Sequence, residues 1–281
     1  MKKVILLITL ILTFSTAFSA VTQNGQLTLG FMPYLASQHL LVKYQPLADY
    51  LSKELGMRIV IEVAKDYVTH NEETGKDELD ISFLGGSPYI DVCEQYGCRP
   101  ILARFEFNGR PYFRSVIYTA EKSRIKTLKE LEGKRMAFGS RKSTLSTQVP
   151  YFMMLEAGVT MKYVKSDFVD NQENVVLGVL LGDYDAGSAS EEVFMENRKL
   201  GLRAIAYSPY VSTHVFTASS KMPRELRERI INALLTLKTR PEGAKIMKSI
   251  SPSLTGFVTA DDSDYDLLRS ILHQVLPVLE K

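Results

Sequence analysis

A two-lobed α/β fold is what this 281-residue sequence predicts, on three observations. Strand-like and helix-like patterns alternate from one end of the chain to the other, which argues for sheets with helices on their faces. Two extended stretches, 115–119 and 207–216, read as passages where the chain crosses between lobes. After the second passage the chain is nearly all helix, and that tail must pack on a lobe already begun. Domains commonly run ~100–200 residues, so the length is enough for two cores. The resulting partition places residues 25–116 plus 212–281 in one lobe and 117–211 in the other.

The chain opens with Lys2 and Lys3, an apolar run over 4–14, and then Ser15, Ala17, Ser19 and Ala20. This is the layout of a cleaved secretory signal over residues 1–20, and its apolar run is shorter than the roughly 20 residues a spanning helix needs. Export to the periplasm is therefore expected. Residues 27–31 then read as a strand, and Leu40, Tyr44, Leu47, Ala48, Leu51 and Leu55 keep helical spacing up to Gly56. Residues 58–63 and 79–84 return as strands. The second is followed by Gly85-Gly86-Ser87-Pro88, where Ser87 can cap a helix and Pro88 can occupy its first position. Residues 101–107 and 112–119 are extended neighbours joined by a turn at Asn108-Gly109.

Within the second lobe, strands are expected over 135–138, 163–169, 184–188 and 203–207. Helices are expected over 128–131, 145–157, 174–181 and 190–200. A strand over 215–218 precedes the helical tail, in which 222–238 is strongly amphipathic and 265–279 is a second helical run.

The stretch 134–150, KRMAFGSRKSTLSTQVP, places Ser140, Ser143, Thr144, Ser146 and Thr147 between the end of a buried strand and the start of a helix. The first N–H groups of a helix lack an internal partner, so they and these hydroxyls can converge on the oxygens of an anion. The same hydroxyls would also serve as ordinary N-caps.

Other chemistry is poorly represented. The formal charge of +2 falls to about neutral once Lys2 and Lys3 are removed, which gives no reason to expect nucleic acid. There is no nucleophile-elbow pattern, no histidine pair at metal spacing and no glycine-rich dinucleotide loop. No enzyme activity, cofactor or metal is expected. Cys93 and Cys98 are the only cysteines; in an oxidising compartment a disulfide is the favoured reading, with Gly97 turning the chain back.

The ordered segments GFMPY, YQPLADYLSKELG, KDY, ELDISFLGGSPY, LKELEGKRMAFG, STLSTQVP, GVLLGDYDAG, YSP and LLTLKTRPEG span nearly all of the exported chain. Together they resemble the phosphate/phosphite/phosphonate-binding proteins of ABC importers. The resemblance implies a type II periplasmic binding fold, with an oxyanion held in a cleft between two lobes. It implies a monomer that hands its ligand to an inner-membrane ABC permease, or alternatively a sensor that presents it to a membrane kinase or cyclase. Ser143 and Thr144 match the family's serine–threonine–serine–glycine run, whereas Leu145 and Ser146 depart from it. Tyr67 and Tyr89 match aromatic positions in the other lobe, each able to give one phenolic hydrogen bond. A family His-Asp pair is replaced by Gln172-Glu173, where Glu173 would repel a dianion unless turned away or protonated. The carboxylate that engages a ligand amine in aminoethylphosphonate binders falls at His214, which points to an oxyanion without an amine. The ligand set implied is Ser143, Thr144, Ser146, Tyr67, Tyr89, His214 and Gln172.

Overall fold

The computed structural model describes residues 25–279, and the expected signal segment 1–20 lies outside them. The chain begins with β1 (Gln26–Phe31), α1 (Ser37–Leu55), β2 (Arg58–Val63), α2 (Tyr67–Gly75), β3 (Ile81–Leu84), α3 (Gly86–Tyr96) and β4 (Ile101–Phe107). A short β5 (Tyr112–Phe113) leads to β6 (Ser115–Ala120), β7 (Arg135–Phe138), a π-turn over Thr144–Gln148, and α4 (Val149–Glu156). There follow β8 (Lys165–Phe168), α5 (Gln172–Leu181), β9 (Ala186–Ser190), α6 (Glu191–Asn197), β10 (Leu202–Tyr207), β11 (Val211–Ser212) and β12 (Val215–Ala218). The tail carries α7 (Arg224–Thr236), α8 (Gly243–Ile250), β13 (Leu254–Val258) and α9 (Asp266–Leu279).

These strands form two main sheets. One has six strands in the order β13-β4-β12-β3-β1-β2, the other five in the order β10-β6-β9-β7-β8. In each, a parallel half made by strand–helix–strand crossovers (β3-β1-β2; β9-β7-β8) is extended by antiparallel strands. The chain enters the five-stranded sheet at β6 and leaves it after β10, and β5 pairs with β11 in a two-stranded ribbon beside these passages. The expected single strand over 112–119 is thus broken at Arg114, whose guanidinium is held by both oxygens of Glu191 at 2.9 and 2.6 Å.

Two elements escaped the sequence pattern. Helix α2 is too polar to show an apolar stripe; it is set instead by Asp66, which accepts from the Thr69 amide at 2.7 Å, and by the buried His70 and Thr74. Strand β13 interrupts a tail that reads as helix, because Phe257 enters the core and the strand pairs antiparallel with β4.

The core of the six-stranded unit is built on Phe31, Phe83, Phe105, Phe216 and Phe257, with Phe105–Phe216 and Phe83–Phe216 ring centroids 5.1 and 5.7 Å apart. A second cluster joins the two units: Leu84 and Tyr89 from one and Leu145 and Val149 from the other meet Leu268, Leu272 and Val275 of α9. Arg141 completes this seam by donating to the carbonyl of Leu279 at 2.8 Å. Cys93 and Cys98 are joined in a disulfide at the end of α3, where Gly97 has φ +86°.

Burying a phenyl ring among four others contributes both area and cross-ring contacts. Phe216→Ala should therefore lower the unfolding free energy by about 3–5 kcal/mol, read as a lower urea midpoint at unchanged slope.

Candidate functional site

Strands β1, β3, β7 and β9 each end where a helix begins, which is where open α/β sheets place ligands. Two of these helix starts face each other across the units. The Ser87 amide, in the first turn of α3, donates to Thr144 Oγ1 at 2.9 Å. Glycine at 85 eases the approach, since a Cβ there would lie in tight contact, 3.3 Å from Thr144 Oγ1 and 3.1 Å from Met32 Cε. Neither N-terminus carries an acidic residue in its first turn, so both leave their positive ends free for an anion.

The π-turn follows from Pro150. Proline has no N–H to give to the Ser146 carbonyl, and the Val149 amide bonds instead to the Thr144 carbonyl. That frees the carbonyls of Leu145 and Ser146. Ser115 Oγ donates to Leu145 O at 2.5 Å, while Ser188 Oγ at 2.7 Å and the Gly139 amide at 3.2 Å donate to Ser146 O. A Cβ at Gly139 would run into the Ser146 hydroxyl, so the strand end also depends on glycine. Thr147 is turned back onto the Ser140 carbonyl at 2.8 Å and braces the turn.

Ser143, Thr144 and Ser146 are buried together. Ser143 Oγ accepts from the Ser146 hydroxyl at 2.7 Å and from the Ser146 amide at 3.4 Å. The phenol of Tyr67, at the start of α2, meets the Ser143 hydroxyl; burial holds its pKa well above the usual range, and Ser143 offsets part of that rise. With acceptor capacity drawn on in this way, Thr144 retains its O–H donor and the Ser143–Tyr67 pair retains one between them. None of the four cup hydroxyls is bonded to a histidine or carboxylate among the described residues, so none is activated as a nucleophile.

Gln172 lies at the start of α5, its Oε1 accepting the Ser190 amide at 2.7 Å while its own amide reaches the Tyr34 carbonyl at 3.5 Å. Glu173 is turned away, onto the Ala36 amide and His39. His214 is half-buried in an aromatic box, its ring 4.8 Å from Phe83 and 4.8 Å from Phe113. Burial lowers its pKa to about 3, so the imidazole is neutral at neutral pH.

Tyr89 does not join this group. Its hydroxyl donates to Asp262 Oδ1 at 3.0 Å and its ring packs 4.6 Å from Tyr265, because its position in α3 faces α9 rather than the cup. Burial and the Asp262 charge raise its pKa. The residue from that turn which does face Thr144 is Ser87, and the sequence signal for it was the Gly-Gly-Ser-Pro run itself. Asp262 also lies near both sulfurs of Cys93 and Cys98, but these are bonded to each other and offer no thiolates to a metal.

Hollows elsewhere do not compete as the centre of the site. One of about 670 Å³ follows α1 and β2 and is lined by ordinary side chains such as Leu41, Gln45 and Ile61. Another of about 630 Å³ lies between the units, where Phe113 and Ser190 bring it beside His214 and Gln172.

The family model described as ABC transporter, phosphonate, periplasmic substrate-binding protein matches residues 29–265. The chain belongs to that family. It is a substrate-binding component of an ABC transporter rather than an enzyme. The phosphate-import protein PhnD of Mycolicibacterium smegmatis is 24% identical over 275 residues, covering 87% of this chain and 84% of its own. The probable ABC transporter phosphite binding protein PhnD1 of Prochlorococcus marinus is 26% identical over 198 residues, covering 67% of this chain and 66% of its own. The structure of PhnD1 from that organism in complex with methylphosphonate superposes with a TM-score of 0.82 at 19% identity, covering 90% of this chain and 99% of that one. The fold is accordingly the two-lobed type II periplasmic binding fold. As a family member, this phosphonate-family binding protein has a small-molecule ligand and a permease partner.

One buried and one half-buried histidine make its stability pH-dependent. His70 is fully buried with Nε2 2.9 Å from the Phe83 carbonyl, and burial lowers its pKa to about 4 from 6.5. With folded pKa values of about 4 and about 3, both below 6.5, the unfolded chain binds more protons under acid conditions. Their contribution is therefore fully present above pH 6.5 and is lost progressively as pH falls towards 4 and then 3. Urea midpoints should drop steadily over that window, and His214→Phe should flatten the lower part of the profile.

Proposed function

We propose that this binding protein captures a small phosphorus oxyanion, a phosphonate, phosphite or phosphate without an amine, and delivers it to an ABC permease. The observation that carries the reading is the bond from the Ser87 amide to the Thr144 hydroxyl, which sets two helix N-termini from opposite units against each other. An anion there meets aligned dipoles and surplus donors. The ligands named for the relatives, phosphate, phosphite and methylphosphonate, are of this class.

In this proposal Ser143, Thr144 and Ser146 hold the oxyanion from the lobe of residues 117–211. Tyr67 completes it from the lobe of residues 25–116 plus 212–281, and the Ser87 amide of that lobe holds the Thr144 hydroxyl in place. Gln172 and the neutral His214 border the ligand's substituent, where an imidazole without charge gives an ammonium group no counter-ion. The protein works as an exported monomer after removal of residues 1–20, and the permease reads the closed form.

Hydrogen bonds to a charged group commonly contribute ~1.5–3 kcal/mol each. Ser143→Ala/Thr144→Ala should weaken binding by at least about tenfold in calorimetry against methylphosphonate, phosphite and phosphate, with circular dichroism unchanged. Wild-type affinity in the double variant would reduce these hydroxyls to helix caps and sink the site assignment.

A further inference from the structure

We propose that Glu173 is a positioning residue for ligand capture: it caps helix α1 from the opposite lobe and so holds the cleft shut. Helix α1 spans 19 residues, yet its N-cap is Ala36, which has no capping side chain, and its first turn contains no acidic residue. No side chain of its own segment caps its start, where the His39 amide turns back onto the Ala36 carbonyl at 2.9 Å. The acceptor comes from α5, 137 residues away in sequence, where Glu173 Oε2 accepts the Ala36 amide at 2.9 Å. The other oxygen of the same carboxylate is bonded to His39 Nδ1, three residues further into α1.

This is one half of a capping box, a glutamate accepting the backbone N–H of the N-cap residue, supplied here from the other sheet unit. Helix α1 connects strands of the six-stranded sheet and α5 connects strands of the five-stranded sheet. The bond can exist only while the units are together. Further contacts between the units flank this one: the Gln172 backbone amide on the carbonyl of Tyr34, just before α1, and Lys43 within α1, 3.9 and 3.7 Å from Glu192 and Glu196. The His39 and Lys43 pairs are partly exposed, and such pairs contribute little. The amide cap is therefore the contact that carries the effect. Because both oxygens of Glu173 are engaged by α1, the carboxylate is kept off the oxyanion, and of the two residues that replace the His-Asp pair it is Glu173 that acts on closure rather than on ligand contact.

The inference rests on the oxyanion-capture reading above, and the test separates the two. Stopped-flow binding of methylphosphonate to Glu173→Ala should show dissociation about fivefold faster, the equivalent of a typical lost cap, with association within about twofold of wild type. Ala36→Ser gives α1 a cap of its own. If Glu173 merely stabilised the helix, Ala36→Ser/Glu173→Ala would regain the slow dissociation; we expect it to stay fast. Unchanged dissociation in Glu173→Ala, or rescue by Ala36→Ser, overturns the proposal. Should methylphosphonate, phosphite and phosphate all fail to bind the wild type, the ligand class proposed above falls. The latch is then decided by small-angle X-ray scattering of the ligand-free proteins: a larger radius of gyration for Glu173→Ala supports it, and equal radii overturn it.

Discussion

A backbone amide of one unit reaching a hydroxyl of the other, Ser87 N–H to Thr144 Oγ1, is the constraint around which the remaining features of the cleft are arranged. Two helix starts can approach this closely only if nothing projects between them. Glycine at 85 keeps the α3 entrance bare, glycine at 86 makes room for Leu268 of α9, and the Thr144 hydroxyl of the π-turn meets the Ser87 amide. Each helix is placed by the parallel strand before it, so the twist of two separate sheets converges on one point.

That convergence would be unfavourable in an empty apolar interior, because aligned peptide dipoles leave positive ends facing each other. The interior is instead lined with hydroxyls. Ser115, Ser188 and Thr147 hold the carbonyls and turn of the π segment, which frees Ser143, Thr144 and Ser146 to face inward. A cradle braced this way is pre-organised, and less of the binding free energy is lost in ordering it. The departure at Leu145 fits the same scheme: its side chain packs in the cluster shared with α9, while its carbonyl is held by Ser115.

The alternating strands and helices were legible because their apolar spacing is set by burial, which period and composition report directly. Helix α2 and β13 were not, since one is fixed by a cap and the other by a single buried Phe257 plus pairing with a distant strand. The hydroxyl run at 143–147 was legible as an anion cup because its chemistry is local in sequence. Tyr89 and Ser87 show the limit. Both sit in one turn, and only the direction of the α3 axis relative to α9 decides that the tyrosine meets Asp262 while the serine amide meets Thr144. Glu173 shows it more sharply: sequence marks an acidic residue in a place for an anion, but not that its oxygens are taken by a helix start far away in the chain.

The hydrogen-bond inventory also bears on the charge state of what can bind. Ser143 Oγ already accepts two bonds, Thr144 Oγ1 accepts from Ser87, and the carbonyls of Leu145 and Ser146 are filled by serines. What these groups have left to offer is donors: the Thr144 hydroxyl, one O–H of the Tyr67–Ser143 pair and the helix amides not already bonded. A ligand oxygen carrying a proton would bring another donor to a place short of acceptors, and a buried donor without a partner costs about 1–3 kcal/mol. A fully ionised oxyanion brings acceptors alone, each able to form the stronger charge-assisted bond. The oxygens of Ser143, Thr144 and the π-turn carbonyls thus favour the ionised form, and a ligand proton could be met only by the two buried acceptors left without a partner nearby among the described residues, Gln148 Oε1 and the Ser87 hydroxyl.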